Sequence, residues 1–105
     1  MPCDPDTHEY VMDWPTSRTW MQMANDGKAY QHWKERVRVL RAEAGFPEVL
    51  RLLAAEIRLW LVRDTHGQRT VRELGRSCPG YHPRQADEGR IAKAMWDRYN
   101  HRETR

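Results

Sequence analysis

Two cysteine–histidine pairs carry the most reactive side chains of this sequence. Cys3 precedes His8, and Cys78 precedes His82. Thiolate sulfur and imidazole nitrogen are preferred zinc ligands, so the four side chains could form a Cys₂His₂ site if both pairs met in space. Cys3 and His8, with four residues between them, do not form the usual Cys-to-Cys zinc clip, and the two pairs lie at opposite ends of the chain. The alternative is a loose terminus and a turn. The sequence therefore predicts no bound metal.

Cys78 and His82 could also form the nucleophile and base of a thiol enzyme. No third residue that would orient the histidine can be identified, and the sequence has no nucleophile-elbow or nucleotide-binding motif. The other candidates for acid–base chemistry are the acidic residues near the N-terminus: Asp4, Asp6, Glu9 and Asp13. Clustered surface acids usually face solvent or bind a basic partner. The sequence thus predicts a non-enzymatic protein without a cofactor, and a thiol or zinc-dependent enzyme is a distant third hypothesis.

Arginine supplies most of the positive charge, with 15 Arg and 3 Lys against 15 acidic residues and a net charge of +3. Arginine groups on helices can contact phosphates, so nucleic-acid binding is the alternative function. Its candidate residues are Lys34, Arg38, Arg41, Arg69, Arg72, Arg76 and Arg84. A solvated surface explains the same residues. The helix expected near residue 70 faintly resembles a helix-turn-helix, but the Pro-rich turn after it is too long for that motif.

Aromatic residues favour a different function. The chain has five Trp and four Tyr; Trp33, Trp60 and Trp96 fall on core stripes, whereas others lie in short helices or loops where burial is harder. Large rigid side chains of this kind anchor interfaces, although they could all belong to the core. The predicted partner-binding set, called the aromatic docking set below, is Trp14, Trp20, Met21, Tyr81 and His82.

The leading hypothesis is therefore a small helical protein that docks onto a larger protein or protein complex. Inhibitors and adaptors work in this way. A short, Trp-rich chain without motifs is also typical of the accessory proteins of phages and mobile elements, which occupy a surface on a larger machine.

Apolar residues in steps of three and four predict an all-α fold of four or five helices in an orthogonal or bundle-like packing. A short first helix is expected at about 15–24, and longer helices are expected at about 28–44, 47–64 and 84–101. A short helix is expected from Thr70 to Arg76, because Thr70 and Glu73 have the spacing of a capping box. Within it, Gly75 is expected at a close approach between elements. The single strand candidate is Glu9–Met12.

The helix expected at 47–64 is apolar on two sides. One face contains residues such as Leu53 and Ile57, and Leu52, Leu59 and Val62 lie on the other side among charged residues. This second face predicts contact either with another helix of the chain or with a second copy, as a homodimer through this helix.

The length of 105 residues gives room for one domain, with residues 1–12 and 102–105 expected to be loosely ordered. The N-terminus lacks the apolar region of a signal peptide, and no stretch approaches the roughly 20 apolar residues of a membrane span. Two cysteines are too few for a secreted disulfide scaffold. These features predict a cytoplasmic protein without membrane contact.

Overall fold

The computed structural model describes residues 13–100. This part of the chain forms five α-helices and no strand: α1 Trp14–Asn25, α2 Gly27–Glu43, α3 Glu48–Arg63, α4 Thr65–Ser77 and α5 Glu88–Met95. A 3₁₀ turn, Pro83–Gln85, precedes α5, and a π-helical turn, Trp96–Asn100, continues it. The predicted all-α fold is confirmed.

The two terminal segments, and with them the strand candidate Glu9–Met12, lie outside the described residues. Within residues 13–100, no helix combines the length and the apolarity needed to cross a membrane.

One hydrophobic core is shared by α2, α3 and α5. The inner face of α3, which includes Val49, Leu53 and Ile57, is completely buried. The predicted stripes of the neighbouring helices meet this face, and their buried members are Trp33, Val37, Leu40, Ile91, Ala92, Met95 and Tyr99. Burying one large aliphatic side chain contributes roughly 1.5–3 kcal/mol, so α3 is held firmly on this side.

Two single aspartates form the junctions between helices. Asp26 joins α1 to α2, and its carboxylate accepts hydrogen bonds from two backbone N–H groups of α2 at 3.0 and 3.1 Å. Asp64 joins α3 to α4 in the same way, with acceptor distances of 2.9 and 3.3 Å. Nε2 of His66 lies 3.0 Å from Oδ2 of Asp26. His66 therefore connects the two junctions.

The capping box predicted at Thr70 is wrong, because α4 already begins at Thr65. Thr70 lies inside this helix, and its hydroxyl donates a hydrogen bond to the carbonyl of His66 at 3.1 Å. Asp64 caps the helix instead. The pair His66 and Gly67 has the composition of a turn, but both residues lie in the first turn of α4.

The close approach between elements occurs at Gly67 rather than at Gly75. A Cβ on Gly67 would lie 1.9 Å from the carbonyl oxygen of Trp60, whereas Gly75 has no such neighbour within 4 Å. Only glycine lets the start of α4 fold back this tightly over the end of α3.

The last helix begins at Glu88 and not near Arg84. The carboxylate of Asp87 accepts a hydrogen bond from the backbone N–H of Arg90 at 3.2 Å. The backbone N–H of Asp87 donates to the hydroxyl of Thr16 at 2.9 Å. The segment that precedes α5 is thereby attached to α1.

Candidate docking surfaces

Tyr81 of the aromatic docking set is buried, with 9% of its surface exposed. Its hydroxyl oxygen lies 2.7 Å from that of Thr19, which donates its own proton to the carbonyl of Pro15 at 2.8 Å. Tyr81 is therefore the donor to Thr19. Burial raises the pKa of the Tyr81 phenol, so the group stays neutral. The expectation that Tyr81 is a surface residue is wrong, because the Pro- and Gly-containing loop folds inward against α1.

Trp20 is half-buried, and its ring centroid lies 6.1 Å from that of the core residue Tyr99. Trp14 and Met21 remain on the outside of α1, with 38% and 47% of their surfaces exposed. The Trp14 ring packs against the ring of Tyr81, with 6.4 Å between the ring centroids and 56° between the ring planes. The structure therefore leaves two exposed members on this helix, and we call Trp14 and Met21 the α1 surface.

His82 is exposed, and its Nδ1 accepts a hydrogen bond from the backbone N–H of Arg84 at 3.2 Å. It lines a groove beside α3 rather than the α1 surface. The aromatic docking set does not form one surface.

The outer face of α3 is the second exposed apolar region. Leu52, Ala55, Leu59 and Val62 follow one another in steps of three and four and are all exposed; we call them the α3 surface. More than half of Leu59 and of Val62 is accessible, at 52% and 55%. Within residues 13–100 no other helix covers these side chains. The structure thus places Leu52, Leu59 and Val62 on an exposed face of α3, and the predicted contact of this face with a second copy stays a prediction.

Two grooves flank the α3 surface. The groove on the α2 side has a volume of about 330 Å³ and is lined in part by His32, Glu56, Leu59 and Trp60. The groove on the other side, called the α3–α5 groove, has a volume of about 290 Å³. Its lining includes Arg58, Leu61, Val62, His82, Pro83 and Arg84.

The charges of the two grooves differ in how they are paired. On the α2 side, Arg36 donates two hydrogen bonds to the carboxylate of Glu56, at 2.8 and 2.7 Å. Burial lowers the pKa of His32, which favours its neutral form. In the α3–α5 groove, Arg58 lies 3.8 Å from Glu88, and the guanidinium of Arg84 has no acidic partner among the described residues. The α2-side groove is lined by Arg63 and the two acids Glu56 and Asp64, whereas the α3–α5 groove is lined by two arginines and one acid. The second groove therefore has the greater positive charge.

The basic residues predicted on α2 are partly engaged within the helix. The guanidinium of Arg38 donates to the carboxylate of Glu35 at 3.2 and 2.5 Å. The ammonium of Lys34 lies over the ring of Tyr30, 5.6 Å from its centroid. Arg41 is half-buried. This strip offers limited positive charge to a phosphate backbone.

The basic residues of α4 are more open. Arg69, Arg72 and Arg76 are exposed at steps of three and four, so they share one face of the helix. Arg69 lies 3.8 Å from Glu73, a loose surface pair. Arg84 is separate from this group, because it lies in the α3–α5 groove.

No three metal-ligating side chains come together among residues 13–100. Cys78 is buried beside Leu74 and Tyr81, whereas His82 is exposed. The other proposed zinc ligands, Cys3 and His8, lie outside the described residues.

Comparison with known proteins gives one partial similarity. No family model and no solved structure matches the chain. A stretch of 62 residues is 44% identical to part of the DNA mismatch repair protein MutL of Pelotomaculum thermopropionicum. The similarity covers 59% of this chain and 9% of that protein. The chain therefore spans less than a tenth of the length of the curated protein to which it is similar.

Proposed function

We propose that this chain is a non-enzymatic docking protein, of the adaptor or inhibitor type, that binds a larger protein partner through the α3 surface. The observation that carries the proposal is the exposure of Leu59 and Val62 on a helix whose opposite face is fully buried. Exposed aliphatic side chains at helical spacing are characteristic of interaction sites.

The support of α3 strengthens this proposal. The helix packs against α2, α4 and α5, so its outer face is held in one position before a partner arrives. A preformed surface avoids the cost of ordering a flexible segment upon binding. A rigid helix that presents Leu59 and Val62 is thus a better anchor than the loop aromatics considered from sequence.

The similarity to part of a DNA mismatch repair protein supports a partner that acts in DNA repair. A similarity confined to a small part of a much longer protein is also what a docking unit used in several contexts would produce. An accessory protein of a phage or mobile element that occupies a surface of such a machine would fit these features.

The test is capture from native lysate with and without nuclease. The two variants to compare are Leu59→Asp with Val62→Asp, which places carboxylates on the α3 surface, and the control Gln31→Asp with Ala42→Asp, which places them at exposed positions of α2. Wild type and control should capture the same nuclease-resistant partner. Capture of the partner by the α3 variant should fall at least about tenfold, because removing a true anchor costs about 2 kcal/mol or more of binding free energy.

Equal capture by the α3 variant and the control would reject the α3 surface. Capture that disappears with nuclease would show that nucleic acid forms the link.

Nucleic-acid binding is the second candidate, and the open arginine face of α4 favours it. If phosphates are the ligand, Arg72→Ala should weaken binding to all nucleic-acid sequences alike. It should also reduce the slope of log affinity against log salt concentration by about 1, because about one counterion fewer is released. Arg51→Ala is the matched control, because Arg51 donates to Glu48 at 2.6 Å on a different helix. Absence of DNA or RNA binding at low salt would dismiss this candidate.

A further inference from the structure

The α3–α5 groove indicates the chemistry of the partner. We infer that it binds an acidic amphipathic helix, with one apolar side chain of that helix in the groove and its carboxylates on Arg58 and Arg84. This inference rests on the proposed function of the α3 surface and adds the charge and the shape of the segment that docks there.

The apolar part of the groove suits a single side chain. Leu61, which is 3% exposed, is fixed in the core below it, and Val62 and Pro83 form its sides. A volume of about 290 Å³ lies just below the usual range of small-molecule pockets, about 300–1,000 Å³. Because Val62 belongs to both the groove and the α3 surface, a helix lying on that surface could insert one large apolar residue here.

The polar rim of the groove favours an anion. Two arginines, Arg58 and Arg84, and one acid, Glu88, line the groove. Glu88 lies in the first turn of α5 and is stabilised there by the helix dipole. Its distance of 3.8 Å from Arg58 leaves that guanidinium able to bind another carboxylate. Arginine binds carboxylates with two parallel hydrogen bonds, so the rim selects acidic side chains next to the apolar anchor.

A second copy of this chain is a poorer occupant. The most exposed part of the α3 surface, Leu59 and Val62, is flanked by Arg58 and Arg63, and the nearby Glu56 is already bound by Arg36. A symmetric pair of such surfaces would bring arginines of the same charge together, which weakens association. The groove on the α2 side is also unsuited to the same acidic segment, because two carboxylates, those of Glu56 and Asp64, line it beside the single arginine Arg63.

The experiment measures the binding of two labelled synthetic peptides to the full chain by fluorescence anisotropy. Both are amphipathic helices of about 15 residues with leucine in steps of three and four. One carries glutamate beside the leucines, and the other carries lysine. The glutamate peptide should bind at least about tenfold more tightly, and its affinity should fall as salt rises.

Two variants locate the interaction. Reversing the groove charges with Arg58→Glu and Arg84→Glu should transfer the preference to the lysine peptide. The matched control, Lys28→Glu with Arg98→Glu, reverses two exposed basic residues that belong to none of the proposed surfaces and should retain the preference for glutamate.

Four results would overturn the inference: no binding of either peptide, equal binding of both, a preference unchanged by reversal of the groove charges, or a dimer in light scattering that Leu59→Asp dissociates. The native capture experiment separates this inference from the proposed function. If Leu59→Asp with Val62→Asp loses the native partner and the groove reversal retains it, docking through α3 stands and the acidic partner is wrong. If neither variant loses the partner, both proposals fail.

Discussion

The α1 surface and the α3 surface are both apolar and exposed, but the rest of the fold uses them differently. Trp14 packs against Tyr81, whose hydroxyl is bound to Thr19 of α1. The exposed aromatic residue is therefore part of the attachment between α1 and the loop after α4. Within residues 13–100, more than half of Leu59 and of Val62 stays exposed, because the core contacts of α3 lie on its opposite side.

This difference shows that residue type alone does not identify an interaction surface. Tryptophan is the residue most enriched at binding hot spots, yet a partly exposed tryptophan can also complete a small satellite core. An exposed leucine is common by itself, but a row of aliphatic residues that the fold does not use is unusual. The row on α3 is thus the better candidate for a partner.

The largest difference in the effect of a substitution on stability is expected between two neighbouring residues of α3, Trp60 and Leu59. Trp60→Ala should destabilise the protein by about 3–5 kcal/mol, because it empties a core site that packs against Trp33. Leu59→Ala should change stability by less than about 0.5 kcal/mol, because the side chain is exposed. Urea denaturation of the two variants measures the difference. Similar losses for both would show that the outer face is also structural.

The two faces of α3 could be predicted from the sequence for a simple reason. The apolar residues of both faces lie within one helix, and their positions follow from the period of 3.6 residues. Thus Ile57 was expected inside and Leu59 on the second face, as the structure shows. Periodicity within a helix requires no knowledge of the rest of the chain.

The features that sequence reasoning missed depend on contacts between distant segments. Tyr81 is buried because its hydroxyl reaches Thr19, 62 residues away in the chain, and no local pattern predicts that pair. The α3–α5 groove likewise brings Arg58 beside His82 and Arg84. Only His82 had been assigned to partner binding, whereas Arg84 was assigned to phosphate contact. Their shared position depends on how α5 packs on α3.

The start of α4 was missed for a local reason. A glycine shortly after a helix is usually a sign of a turn, and Gly67 follows the helix expected at 47–64 by three residues. The alternative signal was Asp64, a good N-cap residue at the end of the preceding apolar run. The choice between them depends on the contact of Gly67 with Trp60, which is visible only in the folded chain.

The junction at Asp26 provides a way to weaken the start of α2 without touching either surface. Partial burial raises the pKa of Asp26, but hydrogen bonds from Ala29, His66 and Lys28 outweigh it and hold the pKa below its ordinary value. Its contribution to stability is therefore present above the unfolded-state pKa of about 3.9 and is lost as the pH falls through the lower folded-state value.

Asp26→Ala should accordingly cost about 1–2 kcal/mol at neutral pH, since it removes a helix cap. The difference from wild type should shrink as the pH falls below about 4, because the unfolded-state carboxylate takes up its proton first, and it should be lost below the lower folded-state pKa. Denaturation curves at several pH values measure this difference. A difference that does not depend on pH would contradict the assigned role of the Asp26 carboxylate.

Tyr81→Phe tests the structural role of the loop beneath the α1 surface. The variant removes the hydrogen bond to Thr19 and keeps the ring against Trp14, so a loss of about 1 kcal/mol is expected. Partner capture should be unchanged. Ser77→Ala is a suitable comparison, because the Ser77 hydroxyl donates to the carbonyl of Glu73 in its own exposed helix turn at 3.0 Å. The loss of stability in this variant should be smaller than in Tyr81→Phe. A loss of capture with Tyr81→Phe at unchanged stability would assign the loop to the interface.

The smallest effect on stability, and the sharpest comparison of the two surfaces, is expected from matched single charges. Met21→Asp and Leu59→Asp each introduce a carboxylate at an exposed apolar position, 47% and 52% accessible in the native protein. Met21 has a weak polar contact, with the Ser17 hydroxyl 3.9 Å from its sulfur. The free energies of unfolding of both variants should therefore lie within about 0.5 kcal/mol of the wild-type value.

If the two variants are equally stable, any difference in capture reports binding alone. A partner that docks on α3 should be lost with Leu59→Asp and retained with Met21→Asp, because a buried unpaired carboxylate at an interface centre costs several kcal/mol and one outside the interface costs nothing. The reverse pattern would move the docking site to α1 and restore the aromatic interpretation of the sequence.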